Sequence, residues 1–187
     1  VAGGYSQAGQ VCISVQRILA HEKIYAELKD KFVARVKQLK AADPALADTV
    51  VGPMIKENEA VRLKQWIDDA VNQGANLLAG GELNGVMLDA TVLENVSLDA
   101  DVYKNEAFGP VVILEKYSHF EEGLALINNS RFGLQAGVYT QSLTKMFQAW
   151  DTLHVGGVII NDVPTFRVDN MPYGGVKDSG LGREGIQ

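Results

Sequence analysis

Cys12 is the residue of this sequence best suited to nucleophilic chemistry. It is the chain's only cysteine, and it follows residues 9–11, Gly-Gln-Val, directly before a predicted strand. A thiol acts as a nucleophile when it has thiolate character and when backbone donors stabilise the oxyanion that forms at the attacked carbonyl. A lone cysteine among small and apolar neighbours also fits an inert hydrophobic residue of the core. The residue types alone leave both interpretations open.

A glycine-rich segment near the end of the sequence is a second candidate. Residues 180–185 read Gly-Leu-Gly-Arg-Glu-Gly, a literal G-x-G-x-x-G. The dinucleotide-binding fingerprint needs a strand before it, a helix after it and an acidic residue about twenty positions further on. Here a glycine-rich loop precedes the motif and two residues follow it. We therefore expect no phosphate-binding role for this segment.

Three histidines are the remaining candidates for acid–base or metal chemistry. His21, His119 and His154 lie at unrelated spacings, each at an end of a predicted helix. No pair of them has the spacing of a metal site. We expect histidines that cap helices or lie at the surface, and no metal.

The elements that must position these residues alternate between strands and helices. Residues 13–20 predict a strand, and apolar residues at helical spacing then predict an amphipathic helix from about His21 to Lys40. A second helix is predicted to end at Gly74, and it is followed by strands at 76–79, 87–93 and 110–117. Ser118 then starts a helix, with Glu121 in a capping box, before a strand at 134–140. The last two predicted elements are a helix that is capped by Ser142 and a strand at 158–161, and the apolar residues of that helix are Leu143, Phe147, Trp150 and Leu153. Alternation of apolar strands with helices predicts an α/β fold with parallel pairing.

Composition excludes several classes of function. The chain has 187 residues, 47% of them hydrophobic, and a formal net charge of −6. It has no basic cluster that a nucleic acid would require, and no apolar run long enough to span a membrane. A single cysteine leaves no internal disulfide, as is typical of a reducing compartment, so we expect a cytoplasmic protein.

Several motifs taken together resemble the aldehyde dehydrogenase superfamily. They are Gly-Gln-Val-Cys12-Ile, Asn105-Glu106-Ala-Phe108-Gly109-Pro110, Asn161, and residues 172–184, which read Pro-Tyr-Gly-Gly-Val-Lys-Asp-Ser-Gly-Leu-Gly-Arg-Glu. Each motif alone is weak, but their order and spacing across the whole chain are highly specific. The chain is similar to the family's catalytic domain, which implies a mostly parallel sheet flanked by helices.

The resemblance implies a role for three of these residues. Cys12 would attack the aldehyde to give a thiohemiacetal, with its own backbone N–H as one oxyanion donor. Hydride would pass to NAD or NADP, and water would hydrolyse the remaining thioester to the acid. Glu106 would hold the nicotinamide ribose hydroxyls, and Phe108 would pack near that ribose and ring. Asn161 and the glycine-rich tail would shape the site.

The resemblance also implies which residues flank the aldehyde. These are Val11, Ile13, Arg167 and Tyr173. Arg167 stands where many relatives carry an apolar or aromatic side chain, and a guanidinium offers paired donors to a carboxylate or phosphate. We therefore hypothesise a small semialdehyde, a lactaldehyde-like aldehyde or a phosphorylated aldehyde as substrate. A surface arginine on a mobile loop is the alternative interpretation of Arg167.

Residues 1–187 are expected to form a single thiol-bearing catalytic domain. The resemblance places the general-base glutamate, a second oxyanion donor and the main cofactor-binding domain upstream, and it places the oligomerisation segment outside this chain. The parent enzyme is expected to be a homo-oligomer. Two alternatives stay open: a cofactor-independent cysteine acyl-transfer or hydrolase module, and a non-catalytic α/β interaction domain with an inert cysteine.

Overall fold

The computed structural model describes residues 1–185, and the chain divides after Lys116 into two units. The elements are α1 (Ala2–Tyr5), β1 (Arg17–His21), α2 (Glu22–Val36), α3 (Glu57–Asn72), β2 (Asn76–Ala79), β3 (Leu83–Asn84), β4 (Met87–Leu88), β5 (Thr91–Glu94), α4 (Asp101–Lys104), β6 (Val111–Tyr117), α5 (Phe120–Asn128), β7 (Phe132–Gly133), β8 (Gln135–Val138), α6 (Leu143–Thr152), β9 (Gly157–Ile160) and β10 (Val176–Lys177). No helix among residues 1–185 is long and apolar enough to cross a membrane.

The first unit is built on a four-stranded sheet in the order β1-β6-β5-β2. Strands β5 and β6 pair in parallel, whereas β2 pairs antiparallel with β5. Alternate residues of β6 point to opposite faces of the sheet. Ile113 belongs to the core cluster that contains Leu63 and Ile67 of α3, and Val112 belongs to the cluster that contains Tyr25 of α2. The sheet is therefore covered by a helix on each face, as the predicted α/β class requires.

The second unit contains the strand–helix–strand segment β8-α6-β9. Its two strands pair in parallel, with Gln135 opposite Gly157 and Val138 opposite Ile160. Strand β7, just before β8, pairs antiparallel with β10, which comes after β9 in the sequence. Leu124 of α5 and Ala149 of α6 share the core of this unit with the buried residues of β8. The predicted parallel pairing is thus confirmed in both units.

Several predicted boundaries are wrong by a few residues. The strand expected from residue 13 begins at Arg17, because residues 11–14 form a turn in which the amide of Ser14 donates to the carbonyl of Val11 at 2.9 Å. The helix expected to reach Lys40 ends at Val36. The strand expected over 87–93 is interrupted between β4 and β5, and the one expected from 134 to 140 is limited to β8.

Two helix caps test the predicted capping residues. The predicted box of Ser118 with Glu121 is displaced by one residue, since His119 is the N-cap of α5 and Glu122 completes the box. The carboxylate of Glu122 accepts from the amides of both Ser118 and His119, at 2.8 and 3.4 Å. Ser142 caps α6 as predicted, accepting from the amide of Lys145 at 3.4 Å.

Candidate active site

Cys12 is exposed on the loop that leads into β1, so it does not fill the core. The backbone just before it is unusual, because Gln7, Ala8 and Gly9 are consecutive residues with φ of 53°, 55° and 67°. Non-glycine residues in this left-handed region are strained. The left-handed conformation of these three residues changes the direction of the chain just before Gln10. Cys12 then lies in the turn that the Ser14–Val11 backbone hydrogen bond closes.

The Cys12 loop packs against the loop that joins α4 to β6. A side chain on Gly9 would lie 2.6 Å from the carbonyl carbon of Gly109 and closer still to its oxygen. Real Cβ atoms essentially never come within 3.0 Å of another heavy atom. Glycine is therefore required at this approach, which brings the backbone beside Cys12 against the residue that follows Phe108.

Two glutamines fix the loop on either side of the thiol. Gln10 donates to the carbonyl of Pro53 at 3.1 Å and accepts from the amide of Ile55 at 2.7 Å. Gln16 is bonded instead to the loop that carries Glu106. Each of these side-chain amides therefore bonds to backbone groups that are distant in the sequence. Together they hold the Cys12 loop to two different parts of the first unit.

Glu106 and Phe108 both lie exposed on the loop between α4 and β6. Phe108 is 41% exposed and has φ of 48°, a conformation that costs about 1–3 kcal/mol in a non-glycine residue. Between them, the carbonyl of Ala107 accepts from Nη2 of Arg62 at 2.9 Å. A carboxylate can accept hydrogen bonds from a diol and an aromatic ring can pack on a sugar, so these two exposed side chains are the candidates to hold the nicotinamide ribose of NAD or NADP.

The helix before Glu106 is held by a half-buried polar network. Tyr103 of α4 donates to one carboxylate oxygen of Glu115 at 2.9 Å, and Nε of Arg17 binds the other at 2.8 Å. The guanidinium of Arg17 also lies 4.2 Å above the Tyr103 ring. Burial raises the pKa of the Tyr103 phenol, so it stays a protonated donor. This network ties α4 to β1 and β6, the strands that follow the two loops.

The predicted substrate-binding residues are divided between the two units. Val11 and Ile13 flank Cys12 in the first unit and are both half-buried. Arg167 and Tyr173 lie in the second, where the guanidinium of Arg167 is 4.5 Å from the centre of the Tyr173 ring. Arg167 also lies 3.9 Å from the carboxylate of Glu184, at the outer limit of an ion pair. The structure thus brings Arg167 and Tyr173 together.

The second unit also contains Asn161 and the glycine-rich tail. Asn161 has φ of 59°, and its side-chain oxygen accepts from the amide of Thr140 at 2.9 Å, which joins the segment after β9 to the segment after β8. In the tail, Glu184 pairs antiparallel with Tyr173 through two backbone hydrogen bonds of 2.8 and 2.7 Å. Over residues 180–185 the G-x-G-x-x-G pattern forms a loop with no helix. The helix expected of a dinucleotide fingerprint would fall on Ile186 and Gln187, which lie outside the described residues.

The histidines take the positions expected of helix ends. His21 caps α2, with Nδ1 accepting from the amide of Lys23 at 3.2 Å, and His119 caps α5. His154 follows α6, and its amide donates to Asn128 at 2.8 Å. Among residues 1–185, no group of three or more His, Cys, Asp or Glu side chains is arranged to hold a metal ion.

Comparison with known proteins places this geometry in a family. A model of the aldehyde dehydrogenase family matches residues 1–187. An aspartate-semialdehyde dehydrogenase from Pseudomonas canavaninivorans is 42% identical over 187 residues, which are 100% of this chain and 40% of the relative. The chain therefore spans about two fifths of that relative's length.

Two solved structures share the fold. Aldehyde dehydrogenase 21 from Physcomitrella patens, in complex with the reaction product succinate, superposes with a TM-score of 0.96 and 49% identity, covering 98% of this chain and 38% of that one. Glyceraldehyde-3-phosphate dehydrogenase from Methanocaldococcus jannaschii, complexed with NADP, gives a TM-score of 0.92 and 38% identity, covering 98% and 40%. With a matching family model over its whole length, the chain belongs to the aldehyde dehydrogenase family.

Proposed function

We propose that this chain is the thiol-bearing catalytic part of an NAD(P)-dependent aldehyde dehydrogenase that oxidises a short aldehyde, such as a semialdehyde, a lactaldehyde-like aldehyde or a phosphorylated aldehyde, to the carboxylic acid. The observation that carries the proposal is the packing of an exposed Cys12 loop against the loop of Glu106 and Phe108. A nucleophile and a cofactor-binding carboxylate must lie on adjoining, well-fixed loops if both are to reach one substrate. Membership of the family supplies the reaction.

Cys12 is the proposed nucleophile. Its sulfur attacks the aldehyde carbon, forming a C–S bond while the carbonyl oxygen becomes an alkoxide that takes up a proton or a backbone hydrogen bond. Loss of hydride from that carbon leaves a thioester on Cys12. Water then hydrolyses the thioester, releasing the acid and returning the thiol.

Glu106 and Phe108 are the proposed cofactor residues of this chain. The oxidised nicotinamide, when bound, accepts the hydride. The Glu106 carboxylate would accept hydrogen bonds from both ribose hydroxyls, and the Phe108 ring would pack beside the ribose. Gln16 and Arg62 anchor the backbone of residues 105–107, so the loop that carries both side chains is fixed before any cofactor arrives.

Arg167 is the proposed determinant of substrate charge. Its guanidinium is stacked on Tyr173, which leaves its edge available for a carboxylate, sulfonate or phosphate. The similar proteins are named for aspartate semialdehyde, glyceraldehyde 3-phosphate and lactaldehyde, and one is bound to succinate, which supports a short aldehyde with an anionic or hydroxylated tail. The Glu184 carboxylate at 3.9 Å would give way to the substrate's own anion.

The organisation of the whole enzyme is part of the proposal. Residues 1–187 would act as one catalytic domain. In an enzyme as long as the relatives, the cofactor-binding fold, the general base and the oligomerisation segment would lie in the remaining three fifths of the sequence. The single cysteine supports a cytoplasmic location, and the family supports a homo-oligomer.

Covalent labelling tests the nucleophile. In the full-length enzyme we expect iodoacetamide to alkylate Cys12 in the folded state and to abolish aldehyde oxidation, and we expect Cys12→Ser to be inactive. Protection of the thiol until denaturant is added, or full activity of Cys12→Ser, would contradict the proposal. Turnover that does not require NAD(P)+ would instead favour the cofactor-independent acyl-transfer alternative.

A further inference from the structure

Gln16 makes an unusual set of hydrogen bonds around Glu106. Its side-chain Nε2 donates to the carbonyls of Val102 and Asn105 at 2.9 and 2.8 Å. Its Oε1 accepts from the amide of Ala107 at 3.0 Å. One side chain thus uses both of its N–H groups and one acceptor position on helix α4 and the loop that follows it.

These contacts enclose Glu106 on both sides. The carbonyl of Asn105 precedes the Glu106 residue and the amide of Ala107 follows it, so one planar amide fixes the backbone on which the carboxylate is mounted. Glu106 itself is exposed. The position of the backbone from which the carboxylate extends therefore depends on Gln16.

Gln16 also belongs to the segment that carries the thiol. It lies four residues after Cys12 and directly before β1. Its own carbonyl accepts from the amide of Ile113 in β6 at 2.8 Å, which fixes its backbone to the central sheet. The thiol and the amide that holds the backbone around Glu106 are therefore carried by one short segment that is fixed to the central sheet.

We propose that Gln16 is a positioning residue that sets the Glu106 carboxylate, and with it the nicotinamide ribose, at a fixed distance from the Cys12 sulfur. The inference rests on the proposed function, because it assigns Gln16 to the same thiol and cofactor residues. Gln16 touches neither substrate nor cofactor. It acts through the backbone of residues 105–107.

Gln10 provides a matched control. It lies two residues before Cys12 and, like Gln16, joins distant backbone groups through both ends of its amide. Its partners are the carbonyl of Pro53, the amide of Ile55 and, at 3.5 Å, the carbonyl of Gln7, and none of these lies in residues 102–107. Gln10→Met and Gln16→Met therefore each remove an equivalent anchor of the Cys12 loop. Of the two, the Gln16 anchor holds the backbone on either side of Glu106.

Amide hydrogen exchange and cofactor binding in the full-length enzyme distinguish the two. In Gln16→Met we expect the Ala107 amide to exchange faster and the Kd for NAD(P)+ to rise by about tenfold or more. In Gln10→Met we expect faster exchange at Ile55 and a Kd within about twofold of the parent enzyme. The KM for NAD(P)+ should rise only in Gln16→Met, and the iodoacetamide reactivity of Cys12 should be retained in both variants.

Gln16→Glu keeps the test valid should Gln16→Met fail to fold. Glutamate retains an acceptor for the Ala107 amide but has no N–H for the carbonyls of Val102 and Asn105, so cofactor binding should still weaken. Equal cofactor affinities in the parent enzyme and the folded Gln16 variants would overturn the inference. If the cofactor affinities are equal and Cys12→Ser is inactive, the role of Gln16 is rejected and the proposed function stands. If Cys12→Ser is active, the proposed function itself is rejected.

Discussion

Replacing Gly9 by alanine is expected to separate the Cys12 loop from the Glu106 loop. The left-handed conformation at Gly9, φ +67°, costs an alanine roughly 1–2 kcal/mol. Its Cβ would lie 2.6 Å from the carbonyl carbon of Gly109 and closer still to its oxygen, whereas ordinary contact begins at 3.4 Å, so the loops must part by about 1 Å. A misplacement of about 1 Å between reacting groups can lower a rate about 10²-fold.

Gly85→Ala is the control for this substitution. Gly85 has nearly the same φ, +61°, but an added Cβ there meets nothing within 4 Å. Both variants should therefore lose similar stability from the strained backbone, and only one should displace the thiol. Gly85 lies in the turn between β3 and β4, in the same unit as Gly9.

The assay is kcat/KM of the full-length enzyme with NAD(P)+ and aldehyde, measured beside Tm. We expect Gly9→Ala to lose about 10- to 100-fold in kcat/KM and Gly85→Ala to stay within about twofold. Equal values of kcat/KM in two folded variants would refute the reasoning. The close approach of Gly9 to Gly109 would then have no part in positioning the thiol.

Three further predictions follow from the second unit, the sheet and the proposed enzyme. Arg167→Leu should raise KM for anionic aldehydes much more than for propanal, and an equal rise for both would remove the anionic-substrate hypothesis. Partial burial raises the pKa of Glu94, but hydrogen bonds from Tyr25 and Lys29 outweigh it and hold the pKa below its ordinary value of 4.5. The stability that the ionised Glu94 contributes is present above pH 4.5 and is lost as the pH falls through the lowered pKa. The Tm of Glu94→Gln should therefore fall less steeply in acid than the Tm of the parent protein. Superimposable curves of Tm against pH for the two proteins would contradict this. The isolated 187-residue chain should give no steady NAD(P)H absorbance with excess aldehyde, because we propose that the general base, worth about 10²–10⁴-fold, lies outside these residues, and steady production would place the cofactor site within them.

The α/β core could be predicted because its signal is local. Leu63 and Ile67 are four residues apart on α3 and both are buried, and the apolar run at the start of β6 is buried throughout. Such runs, alternating with helices, imply parallel strands between covering layers. The antiparallel pairing of β2 could not be predicted in this way, because the route of the chain back to β5 through β3 and β4 decides the direction of an edge strand.

The contacts that build the candidate site could not be predicted. The side chain of Gln10 binds Pro53, 43 positions away, and that of Gln16 binds Ala107, 91 positions away. A glutamine carries no periodic or motif signal that would identify such a partner. The boundary of β1 was mispredicted for the same reason: the amide of Val15, inside the predicted strand, donates to the carbonyl of Gly3 rather than to a sheet.

Helix α6 shows where helical periodicity stops being informative. Its apolar residues were predicted from spacing, and Leu153 is 6% exposed. Leu143, Phe147 and Trp150, however, are 66%, 61% and 69% exposed. The spacing of apolar residues predicts which side of a helix is apolar, but what covers that side depends on neighbours that spacing does not describe.

The backbone strain around the candidate site bears on the choice between a nucleophile and an inert thiol. Among the described residues, Gln7, Ala8, Phe108 and Lys177 have positive φ without the side-chain chemistry that lets asparagine tolerate it. The first three lie on the loops that precede Cys12 or follow Glu106, and Lys177 lies in β10 of the second unit. Strain of about 1–3 kcal/mol per residue persists where the surrounding structure imposes it, and it concentrates at sites that need fixed geometry. A non-catalytic domain with a cysteine in its core would have neither an exposed thiol nor a need for this strain, whereas a thiol that must meet a bound cofactor requires both.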